Sequence, residues 1–313
     1  MSFPSPLAQP THSMPATPPP APPRRDLPVP TPGAGRTVLW IVGIVLIFVA
    51  LGLAAYFLTF LGPVAAVVAG VLALVPLALV LVAVRIIDRW EPEPRGLVVF
   101  ALAWGAVASV ALTLAVDLVI GLVVPQVPET LSAVVQAPIV EELAKGAGVL
   151  LVFVAARRAF DGPVDGVVYG ALVGAGFAFT ENILYFADSL ITEGVESAAY
   201  TFFLRGVLSP FAHVMFTAVT GYALGRAARI GLRGSAAASR WLLGIVGAIA
   251  LHALWNGSAV FADFFALYTT LQVPLFVLFI VGVVLLRREE ARLTRARLGD
   301  YAAAGWFSPG EID

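Results

Sequence analysis

Eight apolar runs, at about 37–61, 63–84, 97–124, 132–156, 164–186, 198–224, 241–262 and 264–286, constrain what this 313-residue chain can fold into. Each is near or above the roughly 20 residues that a helix needs to cross a bilayer. No water reaches backbone amides in hydrocarbon, so runs of this kind become helices rather than open strands. The expected fold class is therefore all-α: a polytopic membrane helix bundle with about eight transmembrane helices. Composition agrees, with 59% hydrophobic and 12% charged residues, against about 25% charged in soluble domains. Without cysteine the chain has no disulfide, thiolate metal site or thiol nucleophile. A net charge of −1 offers no overall field to nucleic acid, which is not expected as a partner.

Residues 1–35 differ from the rest, holding 12 of the 23 prolines and no apolar run. This segment reads as a disordered, Pro-rich tail without the apolar core of a signal peptide. The basic residues test the span count independently. Arg24, Arg25 and Arg36 precede the first span, Arg85, Arg89 and Arg95 follow the second, and Arg157 and Arg158 follow the fourth. Arg226, Arg229, Arg233 and Arg240 join the sixth to the seventh, and Arg287, Arg288, Arg292, Arg295 and Arg297 follow the eighth. Thus 17 of the 19 basic residues fall on one face, while the opposite linkers carry Glu129, Asp188, Glu193, Glu196 and Asp263. By the positive-inside rule this is a multi-pass cell-membrane protein with both termini cytoplasmic. The domain reading is a 1–35 tail, a 36–286 transmembrane domain and a basic 287–313 cytoplasmic tail resting on the lipid surface.

The two remaining basic residues, Lys145 and Arg205, lie inside spans together with other polar groups. The fourth span holds Glu141, Glu142 and Lys145, the fifth Glu181 and Asn182, the sixth Arg205 and His213, and the seventh His252 and Asn256. A charged group near the bilayer centre costs at least about 2.5–3.5 kcal/mol, so such a load marks a buried functional site. Glu141 with Lys145, and His252 with Asn256, are four residues apart and share helix faces. Pro210 removes a backbone donor three residues before His213 and is expected to kink the sixth span.

Two imidazoles and a carboxylate, with a position left for water, form a common catalytic zinc set. The set expected here is His213, His252 and Glu181, with zinc as the metal. A second glutamate of the Glu141–Glu142 pair is then available as general base. Lys145 is placed to hold the charge of Glu141, while Asn182 and Asn256 suit supporting hydrogen bonds or oxyanion donation. Direct activation of water by glutamate and histidine, without metal, fits the same residues. Either way the chemistry is water attack on a carbonyl. No HExxH, no Gly-x-Ser-x-Gly elbow and no intramembrane aspartate pair offers another hydrolytic route. Arg205 reads as structural, paired with an acidic residue, and Asp117 as interfacial. The glycine-rich GALVGAG reads as a helix contact.

EELAK, from Glu141 to Lys145, resembles the EExxK motif of the PrsW family of intramembrane metalloproteases, and FAFTEN, from Phe177 to Asn182, resembles its FxxxEN motif. His213 after Ser209-Pro210-Phe211, His252 in HALWN, and DRWEPEPRG from Asp88 to Gly96 are similar to further family segments. The resemblance covers about residues 85–260, and a more distant one extends to CAAX prenyl endopeptidases and bacteriocin-immunity relatives. It implies an intramembrane endopeptidase that cleaves a membrane-anchored protein substrate. In the best-known member this is site-1 cleavage of an anti-sigma factor in a signalling cascade. It also implies that Glu141, Glu142 and His213 are catalytic, supported by Glu181 and His252. The rival readings are a proton-coupled transporter, whose relays also use buried Glu, Lys and His, and a non-catalytic membrane scaffold.

Overall fold

A computed structural model describes residues 34–124, 126–260 and 263–303, so the proline-rich segment falls almost entirely outside the described residues. Eight helical rods follow one another: α1 (Ala34–Phe60), α2 (Pro63–Ile87), α3 (Arg95–Val123), α4 (Ala137–Ala155, with a lead-in at 129–136), α5 (Pro163–Thr192), α6 (Val195–Arg229), α7 (Gly234–Val260) and α8 (Val273–Ala303, preceded by 264–272). Among the described residues there is no strand. Seven of the rods are long and apolar enough to cross a membrane. The exception is α4, which carries Glu141, Glu142 and Lys145 within 19 residues.

The chain marks its own breaks. Pro63 and Pro163 occupy the first turns of α2 and α5, where no amide donor is needed. Gly62 (φ 77°) and Gly194 (φ 92°) make the turns into α2 and α6 with a backbone conformation that side chains disfavour. Asp263 begins the last rod, its carboxylate accepting from the Ala266 amide at 3.2 Å. α8 continues into the basic C-terminal segment as far as Ala303. Its interleaved Glu and Arg residues suit a solvated helix, and Glu289 pairs with Arg229 of α6 at 2.7 Å.

α5 is the central helix, with 72% of its most apolar stretch buried, whereas the corresponding share is 6% for α1 and α8. Glycines at 166, 170 and 174 let α6 approach closely: a Cβ on Gly174 would lie 2.5 Å from the His213 carbonyl oxygen. Two tryptophans fix α4 from opposite sides. Trp104 donates to the Ala144 carbonyl at 3.0 Å, and Trp241 to the Gly146 carbonyl at 2.9 Å. As expected from Pro210, α6 is broken: helix 203–208 ends at Ser209 and a new helix starts at Ala212. The Ser209 hydroxyl and amide both turn back to the Leu204 carbonyl, at 2.7 and 3.1 Å, satisfying an acceptor that the break would strand.

The linker between α2 and α3 is held to α5. Glu93 accepts from the Tyr169 hydroxyl at 2.5 Å, and its amide donates to Asp88 at 3.0 Å. Burial, reinforced by the nearby Asp165 and Asp88, pushes the Glu93 carboxyl up to about 8 against the relief that Tyr169 provides.

Candidate active site

α4, α5, α6 and α7 each bring ionisable side chains to one place inside the bundle. Lys145 and Glu142 are fully buried, and Glu141, His213 and His252 nearly so. The Lys145 ammonium is the hub. Its three N–H donors meet three acceptors: Glu142 at 2.6 Å, the Nδ1 of His213 at 3.1 Å and Glu141 at 3.3 Å. The Phe177 ring lies 4.1 Å beneath the same ammonium, adding a cation–π contact.

Both histidines are oriented by carboxylates. His252 donates Nδ1–H to Glu142 at 3.0 Å, and the Thr217 hydroxyl donates to the other oxygen of Glu142 at 3.2 Å. His213 donates Nε2–H to Glu181 at 2.8 Å. Arg205 in turn holds Glu181 at 2.6 Å and Asn182 at 2.9 Å, with the Tyr185 ring 4.0 Å below the guanidinium. In neutral rings of these tautomers the lone pairs belong to Nδ1 of His213 and Nε2 of His252, and each lies 3.9 Å from the same Glu141 oxygen. The His213 and His252 rings meet edge to face, 5.1 Å between centroids.

One ligand atom from each of Glu141, His213 and His252 therefore lies within 4.8 Å of the others. This trio differs from the expected set in its carboxylate. Glu181 faces the far side of His213, at its Nε2, and is occupied by Arg205 from the helix segment 203–208. The donor set fits a metal on two counts. Each histidine gives its second nitrogen to a carboxylate, the arrangement that orients metal-bound imidazole. In addition, three carboxyl groups (Glu141, Glu142 and Glu181) share this interior with two strongly basic side chains (Lys145 and Arg205), a donor set richer in acidic than in basic groups.

The other expected residues have defined partners. Lys145 is closer to Glu142 than to Glu141, the partner read from spacing. Asn256 shares a helix face with His252, yet its amide donates to the Ala133 carbonyl at 2.8 Å and so anchors the lead-in of α4. Asn182 accepts from Arg205 rather than pointing at the histidines. Asp117 is bonded to Gln136 at 2.9 Å in an exposed position. Thr217 and Phe177 join the cluster without having been singled out in the sequence, whereas Arg205 takes the acidic partner expected for it, Glu181. Thr217 and Phe177 stand four residues from His213 and Glu181, on the same helix faces, and that spacing was a usable signal.

These features define a polytopic membrane protein whose charged interior gathers a Glu/His/His group able to hold a metal ion. The profile of the PrsW family of intramembrane metalloproteases matches residues 93–284, and the chain belongs to that family. It is 33% identical over 145 residues to Protease PrsW of Geobacillus kaustophilus, a stretch covering 45% of this chain and 58% of the relative. Over 68 residues it is 46% identical to Protease PrsW of Oceanobacillus iheyensis, covering 22% of this chain and 28% of the relative. Over 79 residues it is 42% identical to that of Bacillus subtilis, covering 25% and 33%. The chain thus spans little more than half the length of these relatives, or less. No solved structure matches the chain significantly.

Proposed function

We propose that the protein is an intramembrane endopeptidase that hydrolyses a peptide bond of a membrane-anchored protein by water attack within the α4–α7 cluster. The observation that carries this reading is the convergence of Glu141, His213 and His252, with both histidines locked by carboxylates, in a span region where ionisable groups are costly. Family membership supports the protease class over transport or scaffolding.

Glu141, His213 and His252 are the residues that would hold a zinc ion. Such an ion, when bound, supplies a lowered pKa for water and polarises the scissile carbonyl. The chain's own residues divide the remaining work. Glu142 and Glu181 are positioning residues that fix the tautomers of His252 and His213. Arg205 and Asn182 hold Glu181 in place. Without the ion, Glu141, the one carboxylate of the three with no histidine N–H on it and held by Lys145 at 3.3 Å, is the group placed to take the proton that water gives up and return it to the leaving amine. The Lys145 ammonium sets positive charge beside the reacting carbonyl oxygen as it becomes anionic.

The distribution of basic residues supports a topology with both termini on the cytoplasmic side. The substrate we propose is a single-span regulator of the anti-sigma-factor kind, cut as the first step of a signalling cascade; family membership supports this. The test uses purified protein in bilayer discs with single-span substrates and compares wild type with Glu141→Gln and His213→Ala. Loss of cleavage in both, with helix content retained, is expected; cleavage that survives both overturns the site. Metal content measured on the same three proteins decides the zinc assignment, which requires metal in wild type and its loss in His213→Ala.

A further inference from the structure

α8 touches the bundle only loosely and leaves a crevice on either side. The crevice facing α2 has a volume of about 270 Å³, and its wall passes over α2, α5, α6 and α8, with Val84, Ala171, Val214, Phe276 and Val283 among its lining. Every lining residue is apolar except Arg287. It opens sideways to the lipid: Ile86, Ile280 and Val284 on its rim are 58%, 46% and 42% exposed. Arg287 stands at the end shared with the C-terminus of α2, the face that gathers basic residues. It makes no ion pair or hydrogen bond among the described residues.

The crevice on the other side of α8 has about 330 Å³ and shares Val167, Phe279 and Val283, but Glu289 sits at its polar end, already paired with Arg229. Two neighbouring apolar clefts therefore differ in what their mouths can bind: one presents an unpaired cation, the other a satisfied carboxylate. Along α8, Phe276 to Arg287 covers about 16 Å at 1.5 Å per residue. That is close to the depth of one leaflet, about half of a 30 Å hydrocarbon core. Apolar walls of leaflet depth with a cation at the headgroup level match one molecule class in shape and in charge.

We propose that the α2–α8 crevice is a binding site for an anionic phospholipid, with one acyl chain against Ala171, Val214 and Phe276 and the phosphate on Arg287. The bound lipid completes the packing of α8, which otherwise has few protein neighbours. Its chain also lies against Phe211, the residue that caps the helix carrying His213.

The test uses the full chain in phosphatidylcholine discs doped with phosphatidylglycerol bearing a photoactivatable group on its acyl chain, with adducts mapped by mass spectrometry. In wild type, adducts concentrate within 80–87 and 276–287. Arg287→Gln lowers them about fivefold, the scale of one basic side chain beside an anionic surface. Ile280→Trp, which fills this crevice and keeps the cation, abolishes them, whereas Arg229→Gln leaves them unchanged. A phosphatidylcholine probe labels these segments no better than the Arg287→Gln background. Thermal melting checks that each variant is folded, and the Ile280→Trp arm decides the matter if Arg287→Gln is not. Adducts that persist in both variants, equal labelling by the two probes, or a crevice that crosslinks a single-span peptide and excludes the lipid probe would each overturn the proposal.

Discussion

α5 buries 72% of its most apolar stretch against other helices, while α1 and α8 bury 6% of theirs and present Trp40, Phe48 and Leu278 at 66–70% exposure. Both kinds of helix sit in an apolar medium, so hydrophobicity does not separate them. The difference lies in the groups that must be hidden from lipid. The interior helices α4 to α7 carry Glu141, Glu142, Lys145, Glu181, Arg205, His213 and His252, and every one is hydrogen-bonded or ion-paired to another. α1 carries no charge beyond its first turn and has nothing to conceal. Lipid replaces protein neighbours on an apolar side chain at little cost, because lipid tails are as apolar as leucine. It replaces the partner of a buried ion at great cost.

That contrast yields graded predictions. The largest effect belongs to the reaction: Glu141→Gln lowers peptide cleavage about 10²–10⁴-fold, the range for removing a positioned acid–base group, read as turnover in discs. Next is Lys145→Met, which leaves Glu142 and Glu141 facing each other without their shared cation. Loss of one partner of a buried ion pair costs about 3–5 kcal/mol, measurable as a fall in steric-trapping or thermal stability. An equal loss of stability on removing an apolar α1 side chain would break the comparison. Gly174→Ala comes third, because its methyl would press on the His213 carbonyl, with an overpacking cost of about 1–3 kcal/mol and a loss of cleavage that exceeds the loss of folded protein.

The fourth prediction concerns pH, outside the membrane. Glu93 is raised from an ordinary 4.5 to about 8, so its folded form binds a proton that the unfolded carboxyl releases. Its contribution to stability is complete below 4.5 and is lost as pH rises through about 8. Glu93→Gln should flatten that part of the melting-temperature profile, and an unchanged slope would remove Glu93 as its source. Smallest of all, Phe48→Ala on α1 changes stability by less than about 0.5 kcal/mol, as for a surface site.

Much of this architecture was legible because lipid imposes a strict code. Run length and the alternation of arginines specified eight helices, which the eight rods match. The members of the polar cluster were legible too, since scarcity makes an intramembrane Glu, His or Lys conspicuous. Pairings within the cluster were not. Spacing along one helix gave Lys145 to Glu141, a pair that forms at 3.3 Å, but it did not rank the shorter contact to Glu142 at 2.6 Å or foresee the one to His213. Chemistry alone offered Glu181 as third donor, whereas Glu141 converges with the two histidines. Asn256 looked like a partner of the site because it shares a face with His252, but it reaches across to Ala133 instead.

By itself, then, the sequence determined which residues had to be buried together, since the free energy of an ion in hydrocarbon depends on residue type and depth. Which carboxylate meets which histidine was decided by tertiary structure. It depends on how closely α5 and α6 approach across Gly174, on the Arg205 contact that holds Glu181 against His213, and on the rotation of α4 fixed by Trp104 and Trp241. Those are ångström-scale distances between different helices, and a period of 3.6 residues within one helix carries no information about them.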